Sequence, residues 1–131
     1  MKLLLDSHIW VWTVLERHRL SNQVEATLRA PGNEWWLSAA TFWEVMILNQ
    51  KKRMEFDPDV NTWIRRTLET RPVQEAPITR EIAILSRTLE LGTEDPVDRF
   101  LAATAIVYDL TLVTADRQLI ACPSIRTLAN R

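Results

Sequence analysis

Glycine is scarce in this chain: its 131 residues include only Gly32 and Gly92. Neither a glycine-rich phosphate loop nor a dinucleotide fingerprint can be written with two glycines so far apart, which removes P-loop, kinase and Rossmann-cofactor chemistry. Cysteine is scarcer still. Cys122 stands alone, which excludes an internal disulfide and a cysteine-rich zinc site and suits a small hydrophobe in a reducing compartment. Long apolar runs are missing as well. The opening MKLLLDSHIW has three leucines before Asp6, too few for a signal peptide or a membrane span, so no membrane association and a cytoplasmic location are expected. No sign of charge dominates: 16 Lys and Arg face 17 Asp and Glu, for a net charge of −1. Any polyanionic partner must therefore be met by local positive charge.

What remains is the composition of an ordinary soluble globular protein, 47% hydrophobic and 25% charged, on a chain long enough to bury a proper core. No repeat, linker or low-complexity segment interrupts it, so residues 1–131 read as a single domain. The six tryptophans are the anomaly, since a small domain can hardly hide them all. Trp10, Trp12 and Trp43 read as core rather than binding groove.

Strand and helix patterns alternate along the chain. Lys2–Leu5 reads as a buried parallel strand. Ser7 is placed to cap a helix over His8–Leu15, and Ser21 another over Leu20–Leu28. Pro31-Gly32-Asn33 marks a turn, Glu34–Leu37 a second strand, and Ser38 the cap of a helix over Ala39–Leu48. Val60, Trp63, Ile64 and Leu68 share one face of a further helix begun near Asp57-Pro58. A short strand lies within Pro72–Ile78, and Thr79 caps a helix that runs to Leu91 and closes at Gly92. In TEDPVDRFLAATAIVYDLTLVTAD, Asp95 caps a helix with Pro96 in its first turn, and Leu110–Val113 forms a strand ending at Asp116. Ile125–Leu128 reads as a last edge strand. Such alternation with short turns argues an α/β protein with a mainly parallel sheet.

Four carboxylates stand where this pattern places ligand sites: Asp6 after the first strand, Glu44 in an otherwise apolar helix, Asp98 in a helix's first turn and Asp116 after a late strand. Asp95 and Asp98 have a plain reading as helix caps, Asp116 as a turn residue and Glu44 as a solvent-facing residue. If the four converge, each pair within about 4 Å is opposed by roughly 4 kcal/mol at an effective dielectric near 20. A fold would not gather them for stability, so a cation would stand between them. Oxygen ligands without spaced histidines or cysteines select Mg²⁺, with Mn²⁺ as the alternative, over Zn²⁺. Metal-activated water acting on a phosphodiester is the matching chemistry. Ser7 near Asp6 and Thr114 near Asp116 would orient the ligands from behind. His8 has no partner for acid–base work and reads as structural or supporting; His18 reads as surface.

The blocks LLLDSHIWVW, LSAATFWEVMI, DPVDRFLAATA and LVTAD resemble, together and in order, the PIN-domain ribonucleases, specifically the VapC-type toxins of bacterial toxin–antitoxin pairs. The resemblance implies an α/β/α sandwich with a parallel sheet of about five strands. It implies that Asp6, Glu44, Asp98 and Asp116 are the metal-binding and catalytic acids, with Asp95 auxiliary or capping. It implies a Mg²⁺-dependent endoribonuclease neutralised by a cognate antitoxin, with the early helices forming the antitoxin groove and the homodimer surface. A tryptophan exposed there would be an anchor. Candidate RNA contacts are Arg99, Arg117, Lys51, Lys52 and Arg53; the last three also read as a solvated helix end. One block departs from the family's habit, because Leu48–Arg53 holds no glycine to turn on.

Two rivals fail on residues. A phosphoacceptor receiver domain needs an acidic pair after its first strand and a late lysine, and none follows Lys52. A haloacid-dehalogenase-type phosphatase needs Asp-x-Asp where this chain has Asp6-Ser7-His8. The remaining alternative is a catalytically weak PIN scaffold acting mainly as an RNA- or protein-binding regulatory partner.

Overall fold

Three leucines set the middle of the molecule. In the computed structural model, which describes residues 1–131, Lys2–Leu5 forms β1, and Leu3, Leu4 and Leu5 are fully buried. Alternate side chains of a strand face opposite ways. Accordingly Leu3 and Leu5 join one apolar cluster and Leu4 another.

The chain continues through α1 (Ser7–Leu15), a 3₁₀ turn (Arg17–Arg19), α2 (Asn22–Arg29), β2 (Glu34–Ser38), α3 (Ala39–Gln50) and α4 (Val60–Thr70). It ends with β3 (Gln74–Ala76), α5 (Arg80–Thr88), α6 (Pro96–Val107), β4 (Thr111–Thr114), α7 (Arg117–Ile120) and β5 (Arg126–Ala129). The five strands form one sheet in the order β3-β2-β1-β4-β5, and every neighbouring pair is parallel. Helices α1, α2 and α4 cover the Leu3 and Leu5 face with residues such as Ile9, Val24 and Trp63. The Leu4 face is covered by α6 and α7 through Leu101 and Leu119. Trp10 is fully buried and meets Trp63 and Phe42 edge-on, at 5.2 and 5.4 Å between ring centroids. The α/β/α sandwich expected from the sequence is the observed fold.

Chain order runs outward from β1 to β2 and β3 on one side and through β4 to β5 on the other. The winding therefore switches between β1 and β4, and a crevice opens outside their carboxyl ends.

Several local expectations are corrected. Asp6, not Ser7, caps α1, accepting the Ser7 N–H at 2.6 Å. Asp59 caps α4, accepting the Thr62 N–H at 2.8 Å. Helix α5 stops at Thr88, so Gly92 is not its terminator. Trp43 is 59% exposed rather than core. The turn without glycine after α3 has a clear solution. Lys52 takes φ 58°, the left-handed conformation that glycine favours. The Lys52 and Arg53 N–H groups then donate to Asn49 and Leu48 carbonyls at 3.0 and 2.9 Å, which closes a Schellman motif. Helix α6 ends the same way, with Asp109 at φ 57° and the Leu110 N–H on the Ala105 carbonyl at 2.8 Å. No helix is long and apolar enough to cross a membrane.

Candidate active site

The crevice at the β1/β4 switch is a cleft of about 480 Å³ lined by Asp6, Glu44, Asp95, Asp98 and Asp116, together with His8, Trp12, Arg19 and Ala115. Four elements deliver its acids. Asp6 leaves the end of β1, its N–H bonded to the Val113 carbonyl of β4 at 3.0 Å. Asp116 follows β4 and caps α7, its Oδ1 accepting N–H bonds from Gln118 and Leu119 at 2.8 and 3.2 Å. Asp95 caps α6 by accepting the Asp98 N–H at 3.1 Å, which sets Asp98 in the first turn of that helix. Glu44 enters from α3. Helix N-termini favour negative charge, and Asp6, Asp95, Asp98 and Asp116 all stand at one.

Thr114 joins two of these acids. Its hydroxyl donates to Asp6 Oδ2 at 2.7 Å and accepts the Asp116 N–H at 3.0 Å. The Asp6 carboxylate is thus fixed at both oxygens, from Thr114 on one side and the Ser7 N–H on the other. Ser7 contributes its backbone rather than its side chain: the buried Ser7 Oγ has no hydrogen-bond partner. It faces Glu44 closely enough to favour that carboxylate's charged form.

Burial and mutual repulsion govern the protonation of this group. Burial raises the Asp6 carboxyl above its ordinary range, against the lowering effects of Thr114 and the Ser7 N–H. Burial also raises Glu44, and the charges of Asp6 and Asp95 add to it. Asp98 is pushed up to about 7, first by burial and then by Asp95, Asp116, Asp6 and Glu44. None of the five acids takes part in an ion pair; the chain's salt bridges lie elsewhere. As the side chains stand, no three His, Cys, Asp or Glu residues are close enough to grip one metal ion unaided. A hydrated divalent ion needs less, since Mg²⁺ keeps several waters and is held by one or two carboxylates. An unpaired acidic cluster with an orphaned hydroxyl beside it fits such a cation.

Of the candidate RNA contacts, Lys51, Lys52, Arg53 and Arg117 are exposed. Arg99 is not, and that expectation is corrected. It is 5% exposed, and its Nε donates to the Ser86 carbonyl at 2.6 Å and its Nη1 to the Thr93 carbonyl at 2.7 Å. It also donates to the carbonyls of Leu91 and Leu89. Arg99 therefore satisfies the carbonyl end of α5, which explains why that helix needs no glycine. His18 is exposed, as expected of a surface residue. His8 is exposed at the cleft and meets Trp12 edge-on, 5.7 Å between centroids. Arg19 was not foreshadowed in the sequence: it follows the end of α1, where no helical period points, and the 3₁₀ turn brings it to the cleft.

Fold and cleft together define a doubly wound α/β protein with an acidic site at its switch point. Residues 3–123 match the family model of the PIN domain, and the chain belongs to that family. It is 31% identical over 118 residues to Ribonuclease VapC22 of Mycobacterium tuberculosis, covering 89% of this chain and 88% of the relative. Its fold is similar to a chain of VapBC2 from Rickettsia felis bound to a promoter DNA fragment, with TM-score 0.69, 16% identity and 100% of both chains covered. It is also similar to a chain of a toxin–antitoxin complex from Klebsiella pneumoniae, with TM-score 0.63, 21% identity and coverage of 97% and 96%.

Proposed function

We propose that this chain is a Mg²⁺-dependent endoribonuclease toxin of the VapC type, cytoplasmic and neutralised by a cognate antitoxin, with Mn²⁺ as the alternative metal. The observation that carries this reading is the cleft itself: five carboxyl groups, none ion-paired, at the sheet's switch point. The curated relative is a ribonuclease by name. A divalent cation, when bound, polarises a phosphodiester and makes water a competent nucleophile at neutral pH. In this assignment Asp6, Glu44, Asp98 and Asp116 surround the hydrated metal, one or two of them holding it directly and the others through its waters. Asp6 is pre-oriented by Thr114 and the Ser7 N–H, and Asp116 keeps Oδ2 available because Oδ1 caps α7. Asp95 fixes the helix start that presents Asp98. Exposed Arg117 and Lys51–Arg53 serve the RNA backbone.

A partner has a place to dock. A larger hollow, of about 1080 Å³, lies away from the acids and is lined by Leu28, Trp35, Trp63, Arg17, Arg66 and Arg71 among others. An antitoxin segment would occupy it, as neighbours in fold are components of toxin–antitoxin complexes. Exposed Trp43 on α3 is the anchor we assign to a homodimer surface.

Cleavage of RNA by the purified chain, with Mg²⁺ and with chelator, tests the reading. Asp6→Asn and Asp98→Asn should each reduce cleavage by at least about 10²-fold while the circular dichroism spectrum stays native. Full activity in either variant, or in chelator, would rule out the metal-site assignment.

A further inference from the structure

Five carboxyl groups repel a polyanion, so an RNA strand needs a cation at the threshold of the cleft. Only one lysine or arginine lines it, Arg19. Its guanidinium lies over the Trp12 ring, 5.3 Å from the centroid. Its ion pair is with Glu16 at 3.3 Å, not with any cleft acid, and it is exposed on both sides. Exposed pairs of this kind contribute little, so Glu16 can yield the guanidinium to a stronger anion. Next to the cleft is a second hollow of about 340 Å³, which shares His8, Trp12 and Arg19 with it and continues to Arg53. Arg19 and Trp12 thus stand on the ridge between two joined depressions.

The ridge is tied to the catalytic end of the sheet. Asn130 Nδ2 donates to the Arg19 carbonyl at 3.0 Å, and Asn130 Oδ1 accepts the Ser21 N–H at 2.7 Å. The Asn130 N–H donates to the Thr114 carbonyl at 2.8 Å. Thr114 is the residue whose hydroxyl holds Asp6. Asn130 therefore fixes the turn carrying Arg19 relative to the acids, the preorganisation a substrate contact requires.

We propose that Arg19 is a substrate-binding residue that takes an RNA backbone phosphate at the rim of the cleft. Trp12 supports its guanidinium from beneath, the strand continues over His8 toward Arg53, and Asn130 is the positioning residue behind Arg19. This rests on the ribonuclease reading, which cleavage tests; the proposal is tested by binding. Fluorescence anisotropy of an end-labelled, mixed-sequence single-stranded RNA would be followed against the full chain carrying Asp98→Asn, across a salt series. Adding Arg19→Ala should weaken binding about tenfold and make the salt dependence shallower by about 0.7, the value of one phosphate contact on a single strand. Arg19→Lys should restore the salt slope but only part of the affinity, because an ammonium does not stack as a guanidinium does. Asn130→Ala should weaken binding with the slope kept. An unchanged affinity and slope in Arg19→Ala would overturn the proposal, as would absence of RNA binding by the Asp98→Asn protein. Loss of Mg²⁺-dependent cleavage in the unmodified chain, with the Arg19 effects intact, would overturn the nuclease reading alone.

Discussion

Asp98 shows how a single residue can work against the fold that holds it. Its ordinary pKa of 3.8 rises to about 7 through burial and four neighbouring carboxyls. Between those two values the unfolded chain has released the proton and the folded chain still holds it. The contribution of Asp98 to folding stability therefore falls as pH rises through this window and is least favourable above about 7. Removing the charge should reverse the penalty. Asp98→Asn is expected to stabilise the metal-free protein at neutral pH by about 0.5–2 kcal/mol and to flatten its stability profile between acid and neutral pH. Urea midpoints at several pH values check this; a destabilised Asp98→Asn would mean the acids do not repel one another. The residue was legible in the sequence because Asp95-Pro96 fixes the helix start and hence the place of Asp98. Arg99 was not. Adjacent helix residues point about a quarter-turn or more apart, so the neighbour of a cleft acid can be buried against α5 instead.

Elements were legible where a period or a cap marks them. The leucine run of β1, the serine caps of α2 and α3 and the aspartate cap of α6 stand as read. Helix α7 has four residues, too few to show a period, and α5 ends early because Arg99, a side chain of the next helix, takes up its carbonyls. The helices that carry Glu44 and Asp98 both close on a non-glycine residue in the left-handed conformation, Lys52 and Asp109. That conformation is unfavourable by roughly 1–2 kcal/mol for most residues, and Asp tolerates it better than Lys. Lys52→Gly should therefore stabilise the chain by about 0.5–1 kcal/mol once the greater entropy of unfolded glycine is subtracted. Asp109→Gly should give less, since it also removes the ion pair with Arg126 at 2.8 Å. Thermal midpoints of the two variants decide it: equal or lower values for Lys52→Gly would show that the helix end is not strained.

At the scale of the whole molecule, the acids meet only because the sheet is wound as it is. Asp6 and Asp116 are far apart in sequence and become neighbours through the pairing of β1 with β4, while Glu44 and Asp98 arrive on α3 and α6, two helices that pack against each other. The unfolded chain has no such cluster. A cation that binds the assembled cleft must therefore stabilise folding, by RT ln(1 + [L]/Kd), about 1.4 kcal/mol when its concentration is ten times Kd. For a chain of this size that is a rise in Tm of about 3–7 °C. Protons compete for the same oxygens, and with Asp98 near 7 and Asp6 and Glu44 raised by burial they compete well below neutrality. The Mg²⁺-induced shift should thus be full near pH 8 and largely lost near pH 5. It should also shrink in Asp98→Asn near pH 8, where a negative charge of the cleft is removed, and change little near pH 5, where Asp98 is already protonated. Calorimetry of the metal-free chain titrated with Mg²⁺ at both pH values reads this directly. A shift of the same size at both would place the ion away from these carboxyls, and no shift at millimolar Mg²⁺ near pH 8 would mean that the cleft does not bind it.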